Sequence, residues 1–327
     1  MGFKIAASAA AKEFKPYGDI MIDRGYPITY LQNMENNEDS VIERLMDFDA
    51  AIAFGELFTE KVFAALSGRL KIVCRFGLGY DKVDLASATK YGVCVTNTAG
   101  TMAAAVAEIA LLLMLECCRR AAKHDAQMQK GIWELSFQGS QLSGKTVGLI
   151  GFGNISQKLA RFCRGLGCNV LAYDISFNKT AADNLGVKYA ELDKIARNSD
   201  FISLHVPLSP TTKHIVNAEF LKKMKHTAYL INTSRGPTVD EQSLIAALDD
   251  KTIAGAGLDV YAHEPLEPGS KLRGRDNVIL TPHYASFTHE AYMETIVDIM
   301  ETLDSFQAGA VPKHCLNPDY ARRMRRV

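Results

Sequence analysis

A short apolar run, Thr146-Val147-Gly148-Leu149-Ile150, passes directly into Gly151-Phe152-Gly153-Asn154-Ile155-Ser156 and then into a helical pattern, Gln157–Arg164. This strand, glycine turn and helix constrain the chain more than any other feature. Gly151 permits the tight turn and Gly153 lets backbone approach a pyrophosphate. The N–H groups and dipole of the following helix favour the anion. Ser156 stands where a third glycine is usual and is small enough to preserve close helix–strand packing. A Gly-rich turn by itself often marks nothing more than a bend. Here the next strand, Val170–Tyr173, ends in Asp174, 23 residues after Gly151. A carboxylate there accepts hydrogen bonds from ribose hydroxyls and repels a 2′-phosphate, so the expected cofactor is NAD rather than NADP.

The rest of the chain alternates in the same way. Lys4–Ala7, Ala50–Phe54, Lys71–Arg75 and Val93–Thr96 read as buried strands, with helical segments at Ser40–Met46 and Glu60–Leu66 between them. One long helix is expected from Thr101 to Gly131. A second series follows, with strands at Thr146–Ile150, Val170–Tyr173, Phe201–Leu204, Tyr229–Asn232, Ile253–Leu258 and Val278–Leu280. A closing helix spans Thr288 to Phe306. Alternating βα units imply mostly parallel sheets covered on both faces. At 327 residues, two such domains are expected.

Lys+Arg and Asp+Glu both total 37. That balance gives no electrostatic reason to expect nucleic acid or an anionic membrane as a partner. The basic tail, Arg322, Arg323, Arg325 and Arg326, reads as a solvated terminus. The N-terminal MGFKIAASAA lacks the long apolar core of a signal peptide, and no apolar run is long enough to span a bilayer. Seven cysteines without a CxxC pair argue against a disulfide scaffold or a zinc site, so no metal and a cytoplasmic setting are expected.

Three charged residues follow strands of the second series. Arg235 lies in Asn232-Thr233-Ser234-Arg235-Gly236, Glu264 in His263-Glu264-Pro265 and His283 in Thr281-Pro282-His283. Each alone reads equally well as a surface charge. Together they match one chemistry, interconversion of a 2-hydroxy acid and its 2-keto acid. Arg235 offers a rigid fork for a carboxylate, His283 a proton donor and acceptor near neutral pH, and Glu264 a partner that fixes the imidazole tautomer.

With these residues in place, the sequence resembles the D-isomer-specific 2-hydroxyacid dehydrogenase family. Arg75-Phe76-Gly77-Leu78-Gly79-Tyr80-Asp81, Val95-Thr96-Asn97-Thr98, Val239-Asp240-Glu241 and Gly257-Leu258-Asp259-Val260 carry the resemblance beyond the motifs above. The resemblance implies two doubly wound α/β domains. One is a discontinuous flavodoxin-like substrate domain (1–99 plus 288–327); the other is a Rossmann NAD-binding domain (100–287). It implies a catalytic triad of Arg235, Glu264 and His283. Backbone N–H groups of Gly77, Leu78 and Gly79 would hold the substrate carboxylate beside Arg235 and His283. The implied cofactor lining is Gly151, Gly153, Asn154, Ile155, Asp174, Pro207, Thr212, Thr233, Ser234 and Asp259, with Asp259 near the carboxamide. Members are usually homodimers acting on small 2-hydroxy or 2-keto acids; Tyr284-Ala285-Ser286, after His283, is similar to the phosphoglycerate dehydrogenase-like branch, while a hydroxypyruvate/glyoxylate-like substrate stays open. Phe54-Gly55-Glu56 lacks the arginine that phosphoglycerate enzymes use for phosphate, and Glu56 would repel phosphate if it reached the pocket. The alternative is an NAD(H)-sensing interaction protein of the corepressor type.

Overall fold

The structure is a computed structural model that describes residues 3–8, 13–31 and 37–324, with side chains given up to 322. Arg325, Arg326 and the side chain of Arg323 therefore lie outside the described residues, as do Met1, Gly2, Ala9 and Ala10 of the N-terminal stretch; Arg322 is exposed. The chain divides into two compact units, Met1–Met102 with Phe287–Val327, and Ala103–Ser286. These divisions fall where Ala103 begins a long helix and just before Thr288 caps another.

The N-terminal segment runs β1 (Ile5–Ser8), α1 (Lys15–Asp23), β2 (Ile28–Leu31), α2 (Glu38–Leu45), β3 (Ala50–Ala53), α3 (Glu60–Ala65), β4 (Ile72–Arg75), α4 (Leu85–Lys90) and β5 (Cys94–Thr96). The second unit runs α5 (Ala103–Arg119), α6 (Ala121–Met128), β6 (Thr146–Ile150), α7 (Asn154–Gly165), β7 (Asn169–Tyr173), α8 (Lys179–Leu185), β8 (Lys188–Tyr189), α9 (Leu192–Asn198), β9 (Phe201–Leu204), α10 (Ala218–Lys223), β10 (Tyr229–Asn232), α11 (Glu241–Asp249), β11 (Gly255–Leu258) and β12 (Val278–Leu280). The chain then returns to the first unit with α12 (His289–Gln307) and α13 (Tyr320–Met324).

Among the described residues the first unit holds a parallel sheet in the order β2-β1-β3-β4-β5, the flavodoxin-like order. The second holds a parallel sheet in the order β12-β11-β10-β9-β6-β7-β8, the Rossmann order extended by one strand. Both are doubly wound α/β. The sequence explains the sheets directly: β1 (IAAS) and β9 (FISL) are buried at every position, as strands covered by helices on both faces must be. Helix starts are also written locally. Asn37, Asp84, Asn178, Asn217, Asp240 and Thr288 each accept the backbone N–H three residues ahead, a cap contributing about 1 kcal/mol.

The expected helix from Thr101 to Gly131 is in fact two, α5 and α6, broken at Arg120. Arg120 adopts a left-handed conformation (φ 50°). The break is held by chain returning from residues 137–140. Ser140 N–H donates to Cys118 O (3.0 Å), and the Arg120 guanidinium lies over the Phe137 ring at 4.1 Å. Strands β2 and β8 had no expectation in the sequence. Both are sheet edges, and their part-exposed, mixed-polarity residues lack the buried apolar run that marks the central strands. Among the described residues, no helix is long and apolar enough to cross a membrane, and no cluster of three or more His, Cys, Asp or Glu could hold a metal.

Candidate active site

In the second unit the strand order reverses between β6 and β9, the point at which open α/β sheets bind ligands beyond their strand ends. Gly151 leaves β6 at φ 94°, and a Cβ there would lie 2.8 Å from His205 O. Only glycine allows this turn to pack on the end of β9. Gly153 is the N-cap of α7, and a Cβ built on it would meet nothing within 4 Å. Asn154 and Ile155 form the first turn of α7 behind it. Ser156 is fully buried, filling the expected packing position, and its hydroxyl has no partner. Asp174 sits just past β7. Its Oδ2 accepts Phe152 N–H (2.7 Å) and its Oδ1 accepts Ser176 N–H (2.8 Å), so the carboxylate is tied to the glycine turn itself.

Loops after β9 and β10 complete this rim. Thr212 Oγ1 donates to Pro207 O (2.6 Å) and accepts Ser209 N–H (2.8 Å), which folds the loop on itself. Ser234 Oγ donates to Asn232 Oδ1 (2.8 Å). Thr233 is buried and its Oγ1 has no partner. Partly buried His205, which the sequence reading did not single out, places Nε2 2.9 Å from Ser203 Oγ, while Nδ1 has no partner. Burial pushes its pKa down to about 3, so this imidazole is neutral.

Arg235, Glu264 and His283 occupy the loops after β10, β11 and β12. Arg235 Nη1 donates to Ser234 O (2.8 Å). Gly236 follows, and a Cβ there would lie 1.8 Å from Tyr261 O, so the Arg235 loop can pack backbone to backbone on the chain leading to Glu264. Tyr261 N–H donates to Glu264 Oε1 (3.0 Å), and His283 Nδ1 lies 2.7 Å from Glu264 Oε2. Burial pushes the Glu264 carboxyl up, but the hydrogen bond and charge of His283, the Tyr261 amide and the Arg235 charge outweigh it and hold it below its ordinary value. Glu264 is thus a carboxylate at neutral pH. It accepts the hydrogen bond of Nδ1–H and leaves Nε2 as the outward-working nitrogen.

His283 has φ 50°, a left-handed conformation that a non-glycine residue holds only when its surroundings impose it. Asp259 imposes it. Fully buried, Asp259 accepts Thr281 Oγ1 (2.6 Å) and Tyr284 N–H (3.1 Å) at Oδ1, and Ala285 N–H (3.0 Å) at Oδ2. The Tyr261 hydroxyl donates to Thr281 O (2.7 Å) from the same side. Its burial and three bonds make Asp259 the anchor of the His283 loop.

In the first unit, Gly77 follows β4 at φ 120°. Its N–H donates to Thr98 Oγ1 (2.9 Å), and Asn97 Nδ2 donates to Leu78 O (3.0 Å). The Gly77 N–H is therefore already engaged, and Leu78 and Gly79 are the two remaining candidate donors of this loop. Leu78 is exposed. Just after neighbouring β3, Glu56 is buried. It folds back so that Oε2 accepts the N–H groups of Phe54 (2.7 Å) and Gly55 (3.1 Å). From the sequence, its charge would repel phosphate if it reached the pocket; the structure turns it onto its own backbone.

Residues 111–285, more than half of the chain, match the D-isomer specific 2-hydroxyacid dehydrogenase, NAD binding domain. The chain belongs to the D-isomer-specific 2-hydroxyacid dehydrogenase family. It is 37% identical over 290 residues to a glyoxylate reductase of Korarchaeum cryptofilum, covering 86% of each protein. It is 42% identical over 237 residues to a hydroxypyruvate reductase of Thermotoga maritima, covering 72% of this chain and 76% of that one. Among solved structures, the apo form of Escherichia coli D-lactate dehydrogenase superposes with a TM-score of 0.86 at 28% identity, covering 96% of this chain and all of the other.

As a 2-hydroxyacid dehydrogenase the chain requires a nicotinamide dinucleotide, and the second unit fits one. The open face at Gly153 ahead of the α7 N-terminus suits a pyrophosphate. The unpartnered Thr233 hydroxyl at the end of β10 is a buried group that a ligand there would satisfy.

Proposed function

We propose that this dehydrogenase uses NADH to reduce a small, unphosphorylated 2-keto acid of the glyoxylate or hydroxypyruvate type, and runs the reverse oxidation on the D-2-hydroxy acid. The observation that carries the reading is the 2.7 Å contact between His283 and Glu264, in the same unit as Arg235 and the dinucleotide turn. When bound, the nicotinamide supplies or accepts the hydride at C2. Arg235 pairs with the substrate carboxylate and polarises the C2 oxygen. His283 Nε2 gives the C2 oxygen its proton during reduction and removes it during oxidation, while Glu264 stabilises the imidazolium in between. Backbone N–H groups of Leu78 and Gly79 are donors of the kind a carboxylate takes.

Two features favour an unphosphorylated substrate. The reductases above are named for glyoxylate and hydroxypyruvate. At the end of β3, Glu56 already holds the N–H groups of Phe54 and Gly55 and brings a negative charge. The test is NADH oxidation with glyoxylate, hydroxypyruvate, pyruvate and phosphohydroxypyruvate. The first two should have the highest kcat/KM; a preference for phosphohydroxypyruvate would sink the substrate reading. The relatives are reductases and dehydrogenases, and nothing in the geometry favours the corepressor-type alternative.

NAD over NADP rests on Asp174, whose carboxylate at the end of β7 would face a 2′-phosphate. Asp174→Ser should narrow the NADH-over-NADPH preference in kcat/KM by about 10-fold or more, equivalent to roughly 1.4 kcal/mol of relieved repulsion. An unchanged ratio would remove Asp174 from cofactor choice.

A homodimer, in the cytoplasm, is the proposed assembly. The chain's single tryptophan, Trp133, is 86% exposed and Leu135 is fully exposed, with Leu112, Leu115 and Met128 also exposed on the same unit. Apolar side chains this bare are characteristic of an interface, and a second copy of the chain is the occupant proposed. Sedimentation should show a dimer for the wild type and a monomer for Trp133→Lys combined with Leu135→Glu. A wild-type monomer would refute the assembly.

A further inference from the structure

Away from the residues assigned above, two cysteines in the first unit face each other. Cys94 lies on β5 and is fully buried; Cys315 lies in the chain after α12 and is only partly covered. Their Sγ atoms are 3.8 Å apart, across 221 residues of sequence. The returning segment is held against β5 through an isolated antiparallel bridge. Thr96 pairs with Cys315, Leu316 N–H donates to Val95 O (2.8 Å) and Asn97 N–H to His314 O (3.3 Å). Asn317 locks the register: its Oδ1 accepts Val95 N–H (2.8 Å) and its Nδ2 donates to Val93 O (2.9 Å) and Thr89 Oγ1 (3.1 Å).

We propose that Cys94 and Cys315 form a peroxide-reactive dithiol, oxidised to a reversible disulfide that ties the N-terminal and C-terminal parts of the first unit together. Cys315 is the attacking sulfur because it is the more accessible of the two. The hydrogen bond from the Cys94 thiol, outweighing partial burial, brings Cys315 down to about 7, while the same bond and burial push Cys94 up. The thiolate of Cys315 attacks one peroxide oxygen. An S–O bond forms, the O–O bond breaks, and hydroxide leaves and becomes water with the proton that Cys315 released on ionising. Cys94 then loses its proton and attacks the Cys315 sulfur. The S–S bond forms, the S–O bond breaks, and the departing hydroxide takes up that proton as a second water. Two thiols give up two electrons, and hydrogen peroxide is reduced to two waters.

With Thr96 opposite Cys315, Cys94 is its diagonal neighbour across the pair, and the two sulfurs are in van der Waals contact, close enough for a bond of about 2.05 Å to form by small side-chain rotations. A second close pair, Cys163 and Cys168, is fully buried and should stay reduced.

The experiment treats the purified full-length protein with a few equivalents of hydrogen peroxide, then blocks thiols and measures intact mass and peptide maps. The expected result is loss of two hydrogens, with a Cys94–Cys315 cross-link, recovery on adding dithiothreitol, and faster migration on a non-reducing denaturing gel because a 221-residue separation has been bridged. Cys94→Ser should abolish the cross-link and leave a Cys315 sulfenic acid that dimedone traps. Cys163→Ser should change neither. Retention of all seven thiols, a bridge mapping to Cys163 and Cys168, or direct over-oxidation of Cys315 in the wild type without a cross-link would each overturn the proposal.

Discussion

His283→Ala is expected to lower kcat for NADH-dependent reduction of glyoxylate or hydroxypyruvate by about 10²- to 10⁴-fold, the range that general acid–base groups contribute. NADH affinity should stay within a few-fold, because the glycine turn, Asp174 and Thr233 are on other loops. Titration of NADH fluorescence would measure that affinity in the same sample. Glu264→Gln should show a smaller loss with a distinct signature. An amide cannot stabilise the imidazolium as a carboxylate does, so reduction, which needs the protonated imidazole, should fall off at a lower pH than in the wild type. Equal kcat for wild type and His283→Ala would remove His283 from the chemistry, and an unmoved pH profile in Glu264→Gln would reduce Glu264 to packing.

The second large effect is expected at Asp259. It makes no hydrogen bond to His283 itself, yet it holds residues on both sides of it, Thr281 and the Tyr284–Ala285 amides. Asp259→Asn keeps the shape but turns one acceptor into a donor facing other donors. The cost is about 2–4 kcal/mol, from two or more buried groups losing partners. Part of that should be released by His283 leaving its left-handed conformation. The variant should therefore melt several degrees lower and lose kcat by an order of magnitude or more, with NADH binding largely kept. Loss of NADH affinity with unchanged kcat would instead return Asp259 to a direct cofactor role.

These two residues also mark what the sequence discloses and what it conceals. The glycine turn was legible because three requirements, tight turn, phosphate approach and helix start, act on neighbouring residues. His283, Glu264 and Arg235 were legible because each follows a strongly apolar strand. Three other features depend on contacts between distant segments and leave no local pattern. The left-handed backbone of His283 is set from Asp259, 24 residues earlier in the chain. The Gly77 amide is taken by Thr98, across β5. The break at Arg120 is held by chain that returns only at residues 137–140. Glu56 shows a local limit: its charge could be read, but the backbone amides next to it decide where it points.

The first unit is built from both ends of the chain. Ile296, Ile299, Met300 and Leu303 of α12 pack in one core with Ile5, Ala7, Phe14, Ile52 and Cys74. On a ribosome these two groups emerge more than two hundred residues apart. The second unit is contiguous and can close as soon as it is synthesised, whereas the N-terminal strands must wait with part of their apolar face bare until the last long helix leaves the exit tunnel. A nascent chain stalled before α12 would thus expose that face, which makes this interval the one in which chaperones or aggregation compete with folding.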